Sequence, residues 1–488
     1  MVIPGLLYAV LFPALLGYTL LALLDRKGGS FAAMERAGLS YGLGIGVMTG
    51  GIFLANKLFN LPIKLSAVSL AFTLIMVPAW IYIFRKKIVF LDGAGLRSSV
   101  LSFIGFFKRL EQPFWPALAA RIFALLIMLR IFLVFFAALV KPVVTWDAIE
   151  RYTFLARMIW LEHGLQGEAI KKLAAGNPYF TPISQAWNLL AMGTFNDALV
   201  KITGPLLFLS LVIVFYFALR KSLSRGSSVF FTYLLTTLPF IIYHAGTAYA
   251  DFPQTYFYSL SAIYLFLWIS RNKNPYLMVS AITLGLSITV KKGGISFFFV
   301  NAIVLSLYLM FGYGGGLKEK TRPILVFLVL AVLFSSPWTI FENSMGLIQL
   351  PRELIARTVQ STIHAPRTDY AIRSDLTHTS MLPAGVLGIS PAVILLEIWN
   401  RLALQGNWNI CWFTFFLASL LLCVRIVKTN LKYLFLLVVL NLATILYAAF
   451  LKIHFRYIMD GTLLVRLLMY VQPLAVFFLG EAIGKPDQ

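Results

Sequence analysis

The chain has 488 residues, 60% of them apolar and only 12% charged, with a formal net charge of +22 and a mean hydropathy of +0.84. A soluble globule carries about 25% charged residues, so this composition excludes one. Nor does the positive balance indicate nucleic acid: basic residues beside apolar stretches mark the cytoplasmic side of a membrane and contact anionic membrane lipids.

Thirteen apolar stretches follow one another. Each is near the ~20 residues with which a helix crosses ~30 Å of hydrocarbon, and no ten-residue alternation suggests a β-barrel. The expected fold is therefore an all-α integral membrane protein with about 13 transmembrane helices. The first stretch, 4–24, lacks a basic leader and a small-residue cleavage site, so it reads as a retained span. The second, 40–56, carries Gly42, Gly44, Gly46, Gly50 and Gly51, which suits close helix packing. With the third, 66–84, and the loop after it, residues 1–118 form an amino-terminal unit to which no chemistry is assigned. The fourth span, 119–140, places Arg130 in mid-bilayer. Such a cation costs several kcal/mol unless paired, leaving two readings, a functional group or a structural partner of a neighbouring helix.

The segment 141–202 then leaves the bilayer, and Asp147 sits just after the apolar run. Ile149, Tyr152, Leu155, Ala156 and Ile159 recur at helical spacing, predicting an interfacial helix capped by Thr145 or Asp147 and ended by Gly164. Glu150, one turn on, is expected beside Asp147. Asp147 is either a helix cap or a general base.

Spans at 203–219, 229–247, 255–270, 276–290, 294–311 and 323–341 complete a central module, 119–341. Asp251 either caps the helix that follows it or acts as a second acid. His244 and His454 stand too far from other ligands to suggest a metal site, and a hydrogen-bonded structural role is expected. Residues 342–409 mix Arg352, Arg357, Arg367 and Arg373 with Glu353, Asp369, Asp375 and His378 before an apolar 381–396. They read as an external lid ending in a surface-lying helix, the alternative being a further pair of spans around 386–424. The last unit, 410–488, contains spans 410–426, 433–450 and 463–482. Cys411 and Cys423 lie ~18 Å apart along one helix, too far for a disulfide.

Charge orients the chain. Arg26, Lys27, Arg36, Arg85, Lys86, Lys87, Arg220, Lys221, Arg271, Lys318, Lys320, Arg425 and Lys428 fall on one face if the amino terminus is outside, and that face is cytoplasmic. Twelve of the 19 acids then lie outside: Asp147, Glu150, Glu162, Glu168, Asp197, Asp251, Glu342, Glu353, Asp369, Asp375, Glu397 and Asp460. Carboxylate chemistry is expected on the extracytoplasmic face. No Walker A sequence or Ser/His/Asp spacing offers an alternative.

Three motifs stand in order within 119–341. They are Asp147…Arg157…Gly164 with Asn177-Pro-Tyr179-Phe-Thr-Pro182…Trp187, Leu238-Pro239…Tyr249-Ala-Asp251-Phe-Pro253, and Val290-Lys291-Lys292-Gly293-Gly294. Together they resemble the GT-C glycosyltransferases that use lipid-linked phosphosugars, with protein O-mannosyltransferases and lipid A aminoarabinose transferases most similar. The chain departs from that pattern at Ala148, where many relatives have a second acid, at Thr181, where the aminoarabinose branch often has Lys, and at Gly293, where Glu is usual.

The resemblance implies transfer of one sugar from a polyprenyl-phosphate donor to a glycan, lipid or other cell-envelope acceptor. A bacterial cytoplasmic membrane is the expected location, with the site on the outer face. The chemistry needs a base, cations for the departing phosphate and an apolar groove. Asp147 suits the first, and Lys291, Lys292 and Arg466 the second, each being otherwise a snorkelling interfacial side chain. Asp251 and Glu150 are candidates for a second or acceptor-orienting acid, Arg157 and Tyr179 for support of the first loop. A divalent cation between Asp147 and Asp251 is left open. Two other readings are a polymerase or ligase using a diphosphate-linked donor and a lipid-linked saccharide transporter. Transporters usually show internal repeats and polar groups in broken midplane helices.

Overall fold

The computed structural model describes residues 2–88, 93–108, 114–166, 178–344, 383–385, 387–404 and 406–484. Of the lid expected over 342–409, residues 345–382 with the Arg352 to His378 charges lie outside them, as do Glu168 and Asn177.

The described residues form helices and no named strands. In chain order these are α1 (Val2–Leu24), α2 (Ala33–Phe59), α3 (Leu65–Arg85), α4 (Gly93–Lys108), α5 (Phe114–Val140), α6 (Phe154–Glu162), α7 (Phe180–Met192), α8 (Thr203–Arg220), α9 (Arg225–Thr236), α10 (Pro239–Ala245), α11 (Asp251–Arg271), α12 (Asn274–Val290), α13 (Gly294–Phe311), α14 (Leu317–Ser344), α15 (Pro391–Trp399), α16 (Cys411–Leu421), α17 (Cys423–Lys428), α18 (Leu431–Leu451), α19 (Phe455–Met459) and α20 (Leu464–Ile483). Nine helices among the described residues are long and apolar enough to cross a membrane. The protein is thus an all-α membrane protein. Among the remaining predicted spans, α9 and α10 meet at a 70° bend, and α12 and α16 are short apolar helices.

The last of these, α11, explains itself by its position. Every residue from Asp251 to Ile269 is buried. A helix enclosed by protein on all sides has no need of a lipid-compatible surface and can carry Gln254, Thr255, Ser259 and Ser261 inward. It packs on α12, α20 and α8. By contrast α3 and α5 are only 22% and 17% buried inside the protein, as lipid-facing helices are.

The amino-terminal helices belong to the same core. Glycines bring α1 against α2, since a Cβ on Gly44 would overlap the Pro13 carbonyl and one on Gly17 the Ser40 carbonyl. At the predicted cytoplasmic end, Arg36 pairs with Asp25 at 3.1 Å and Lys221 with Glu35 at 2.7 Å. Tyr264 of α11 donates to Glu35 at 2.7 Å. Some basic residues of that face are therefore neutralised partners in the core.

The external segment differs locally from expectation. Asp147 makes no capping hydrogen bond, and the chain enters a π turn at Ala148–Thr153 before α6. Arg151, four residues on, lies 3.9 Å from Asp147 Oδ1, whereas Glu150 makes no ion pair among the described residues. The helix ends one residue before Gly164, at His163, which adopts the left-handed conformation with φ 52°. A tertiary tie sets that end: the His163 carbonyl accepts from the Ile63 N–H at 2.7 Å, and Leu165 donates to Asn56 at 3.1 Å. Farther on, α15 continues as a π turn to Leu404. At roughly 20 Å the two are too short to cross the bilayer.

Candidate active site

Four chain regions meet at the end of α11 that carries Asp251. The first turn of α11 supplies Asp251, the residue after α12 supplies Lys291, the first turns of α20 supply Arg466 and Tyr470, and the entrance to the π turn supplies Asp147. Their side chains form one connected ionic cluster.

Asp251 is its buried centre, with a side chain 1% exposed. Oδ1 accepts from Lys291 Nζ at 2.7 Å and from the Tyr470 hydroxyl at 2.6 Å, while Lys291 also donates to Tyr470 at 3.1 Å. Oδ2 faces Arg466 Nη1 at 4.0 Å. A buried carboxylate is tolerated only when charges and hydrogen bonds surround it in this way. Asp251 makes no side-chain capping bond for α11. Its carboxylate is committed to the cations, and it acts as their anchor.

Asp147 differs in exposure. Its side chain is 28% exposed, and Oδ2 accepts from Arg466 Nη1 at 3.0 Å. The other oxygen has Arg151 at 3.9 Å. Arg466 lies over the Tyr249 ring, 4.9 Å from its centroid, so its planar guanidinium is held between an aromatic face and two carboxylates. Burial, followed by the charges of Asp251 and Asp147, holds the Tyr152 phenol protonated well above its ordinary range. Burial likewise raises Tyr249.

A cavity of about 260 Å³ opens beside Arg466, walled by Tyr249, His244, Arg401, Asn407, Asp460 and Thr462 among others. His244 is packed edge-on against Phe240, with ring centroids 4.4 Å apart, and its Nδ1 has no hydrogen-bond partner among the described residues. The expected hydrogen-bonded role gives way to an aromatic cage, because α10 presents the ring to Phe240 and Tyr249.

The remaining candidates separate. Lys292 turns away and pairs with Glu342 at 2.8 Å. Glu150 is exposed, without an ion pair among the described residues. Arg157 is exposed and lies over the Phe195 ring, 5.0 Å from its centroid, bracing the segment against its own return. Tyr179 is fully buried and stacks on Phe53 at 4.4 Å, anchoring that return to α2. Sequence reasoning missed Tyr470 and Arg151 as members of the cluster. Tyr470 was within reach, lying one turn after Arg466 on the same helix. Arg151 was within reach as well, standing four residues after Asp147, the ordinary helical spacing for such a pair.

The donor set offers a divalent ion little. Both carboxylates that would bind it are already bridged by Arg466, and among the described residues no group of three or more His, Cys, Asp or Glu side chains could hold one. No family model, curated protein or solved structure matches this chain.

Proposed function

We propose that this chain is a GT-C-like glycosyltransferase that moves a sugar from a polyprenyl-phosphate donor to an extracytoplasmic hydroxyl acceptor. In this reading all 13 apolar stretches cross the membrane, four of them as the bent pair α9–α10, the enclosed α11, the short α12 and the pair α16–α17. The cluster lies at the outer face of a bacterial cytoplasmic membrane.

One observation carries the reading. Asp147 keeps a side chain 28% exposed while Arg466, the cation that lines the cavity, fixes one of its oxygens. A general base needs that combination of orientation and access. The acceptor oxygen attacks the anomeric carbon as Asp147 takes its proton. The bond from that carbon to the phosphate oxygen breaks on the opposite face, and the phosphate leaves with the electron pair, inverting the centre. Arg466 and Lys291 supply positive charge to the leaving group. Protonation of Asp147 weakens its hold on Arg466, which frees the guanidinium as phosphate charge develops. Asp251 positions both cations and touches no substrate.

The test is turnover of a labelled polyprenyl phosphosugar by the purified protein and by Asp147→Asn. Undiminished transfer by the variant removes the assigned role. Consumption of a diphosphate-linked donor alone, or saccharide movement across proteoliposomes without bond cleavage, replaces the reading with a polymerase or a transporter.

A further inference from the structure

Arg130 remains without a carboxylate. It lies about 15 Å below Val140 along α5 at 1.5 Å per residue. It is exposed and makes no ion pair among the described residues. The structural partner that a mid-span arginine ordinarily requires is therefore not among them.

What lies beside it is a crevice of about 700 Å³ walled by Arg130, Tyr233, Thr237, Tyr243 and Asn409, with apolar side chains between them. Among the described residues Arg130 is the one charged residue in that wall. The crevice forms because α9, with 12 residues, rises only about 18 Å before the 70° bend into α10. Asn409, from the external segment before α16, reaches down to this break and donates to the Thr237 carbonyl at 3.1 Å. On this flank the polar outer surface thus descends toward the level of Arg130.

The mouth opens to lipid. Phe132, Leu133 and Phe136 on α5 are exposed above Arg130, and Leu129, Leu125 and Ile122 form an exposed apolar stripe below it. An anion reaching this guanidinium sideways arrives attached to acyl chains. Among the described residues the wall carries a single positive charge and no acid, which matches the charge of about −1 on a phosphodiester better than the roughly −1.5 to −2 of a phosphomonoester. We propose that the α5–α9–α10 crevice binds an anionic phospholipid, its phosphodiester on Arg130 and the hydroxyls of Tyr233 and Tyr243, its chains along the Leu129, Leu125 and Ile122 stripe. Tyr243 also lines the Arg466 cavity, so this side chain is shared by the two hollows.

The experiment is native mass spectrometry of the full-length protein titrated with phosphatidylglycerol, phosphatidylcholine, polyprenyl phosphate and inorganic phosphate. Phosphatidylglycerol should be retained over phosphatidylcholine, and Arg130→Gln should weaken it about tenfold or more, with Arg130→Lys intermediate. Equal retention by Arg130→Gln overturns the proposal. So does displacement of the phospholipid by inorganic phosphate or by polyprenyl phosphate at equal concentration. Should Arg130→Gln fail to fold, a photo-crosslinking phosphatidylglycerol on the wild-type protein decides: labels on α5 and α9 support the site, and labels elsewhere overturn it. No step of the proposed sugar transfer uses Arg130, so the two readings fail separately.

Discussion

Arg466 and Asp147, 319 positions apart in the chain, meet through a 3.0 Å hydrogen bond from Nη1 to Oδ2. That contact joins the start of the last long helix to the first external segment. It orients the more exposed of the cluster's two carboxylates.

Replacing Asp147 by Asn preserves shape and one hydrogen-bond acceptor but removes the proton acceptor. Sugar transfer should fall by about 10²- to 10⁴-fold, the usual contribution of a general base. Thermal unfolding in detergent should stay close to wild type, because the side chain is partly solvated.

Arg466→Lys keeps the charge and loses the planar fork that spans Asp147, Asp251 and the Tyr249 ring. A loss in kcat/KM of about tenfold or more is expected from a missing charge-assisted hydrogen bond. Combined with Asp147→Asn, the two losses should not multiply, since both residues act as one unit. Steady-state kinetics on the four proteins check this.

Asp251→Ala leaves Lys291, only 15% exposed, without its counter-charge. Removing one partner of such a pair costs about 3–5 kcal/mol, so unfolding should shift strongly to lower temperature. Adding Lys291→Met should recover part of the loss. A double-mutant cycle by thermal unfolding measures the coupling, and simple additivity would show that the pair is not coupled.

Gly44→Val should separate α1 from α2, because even a Cβ there overlaps the Pro13 carbonyl. Overpacking of this kind costs about 1–3 kcal/mol. Gly226→Ala, where a Cβ meets nothing within 4 Å, is the control and should leave unfolding unchanged or slightly raised.

Much of the frame was legible in the residues alone. An apolar run near twenty residues is a local property, and in lipid only a helix or a closed barrel satisfies the backbone's hydrogen bonds, so runs of that length without alternation give the all-α class directly. Asp147, Asp251, Lys291 and Arg466 stood out for the same reason, as charges at the ends of apolar runs. Their partners did not follow. Which cation meets which acid depends on which helix ends are brought together: adjacent Lys291 and Lys292 take Asp251 and Glu342, on different elements. The tie that ends α6 at His163 and the crevice beside Arg130 both arise from packing between distant segments. Hydropathy is summed along the chain, whereas ion pairing and cavity shape are settled between chain segments, and only the tertiary structure decides those.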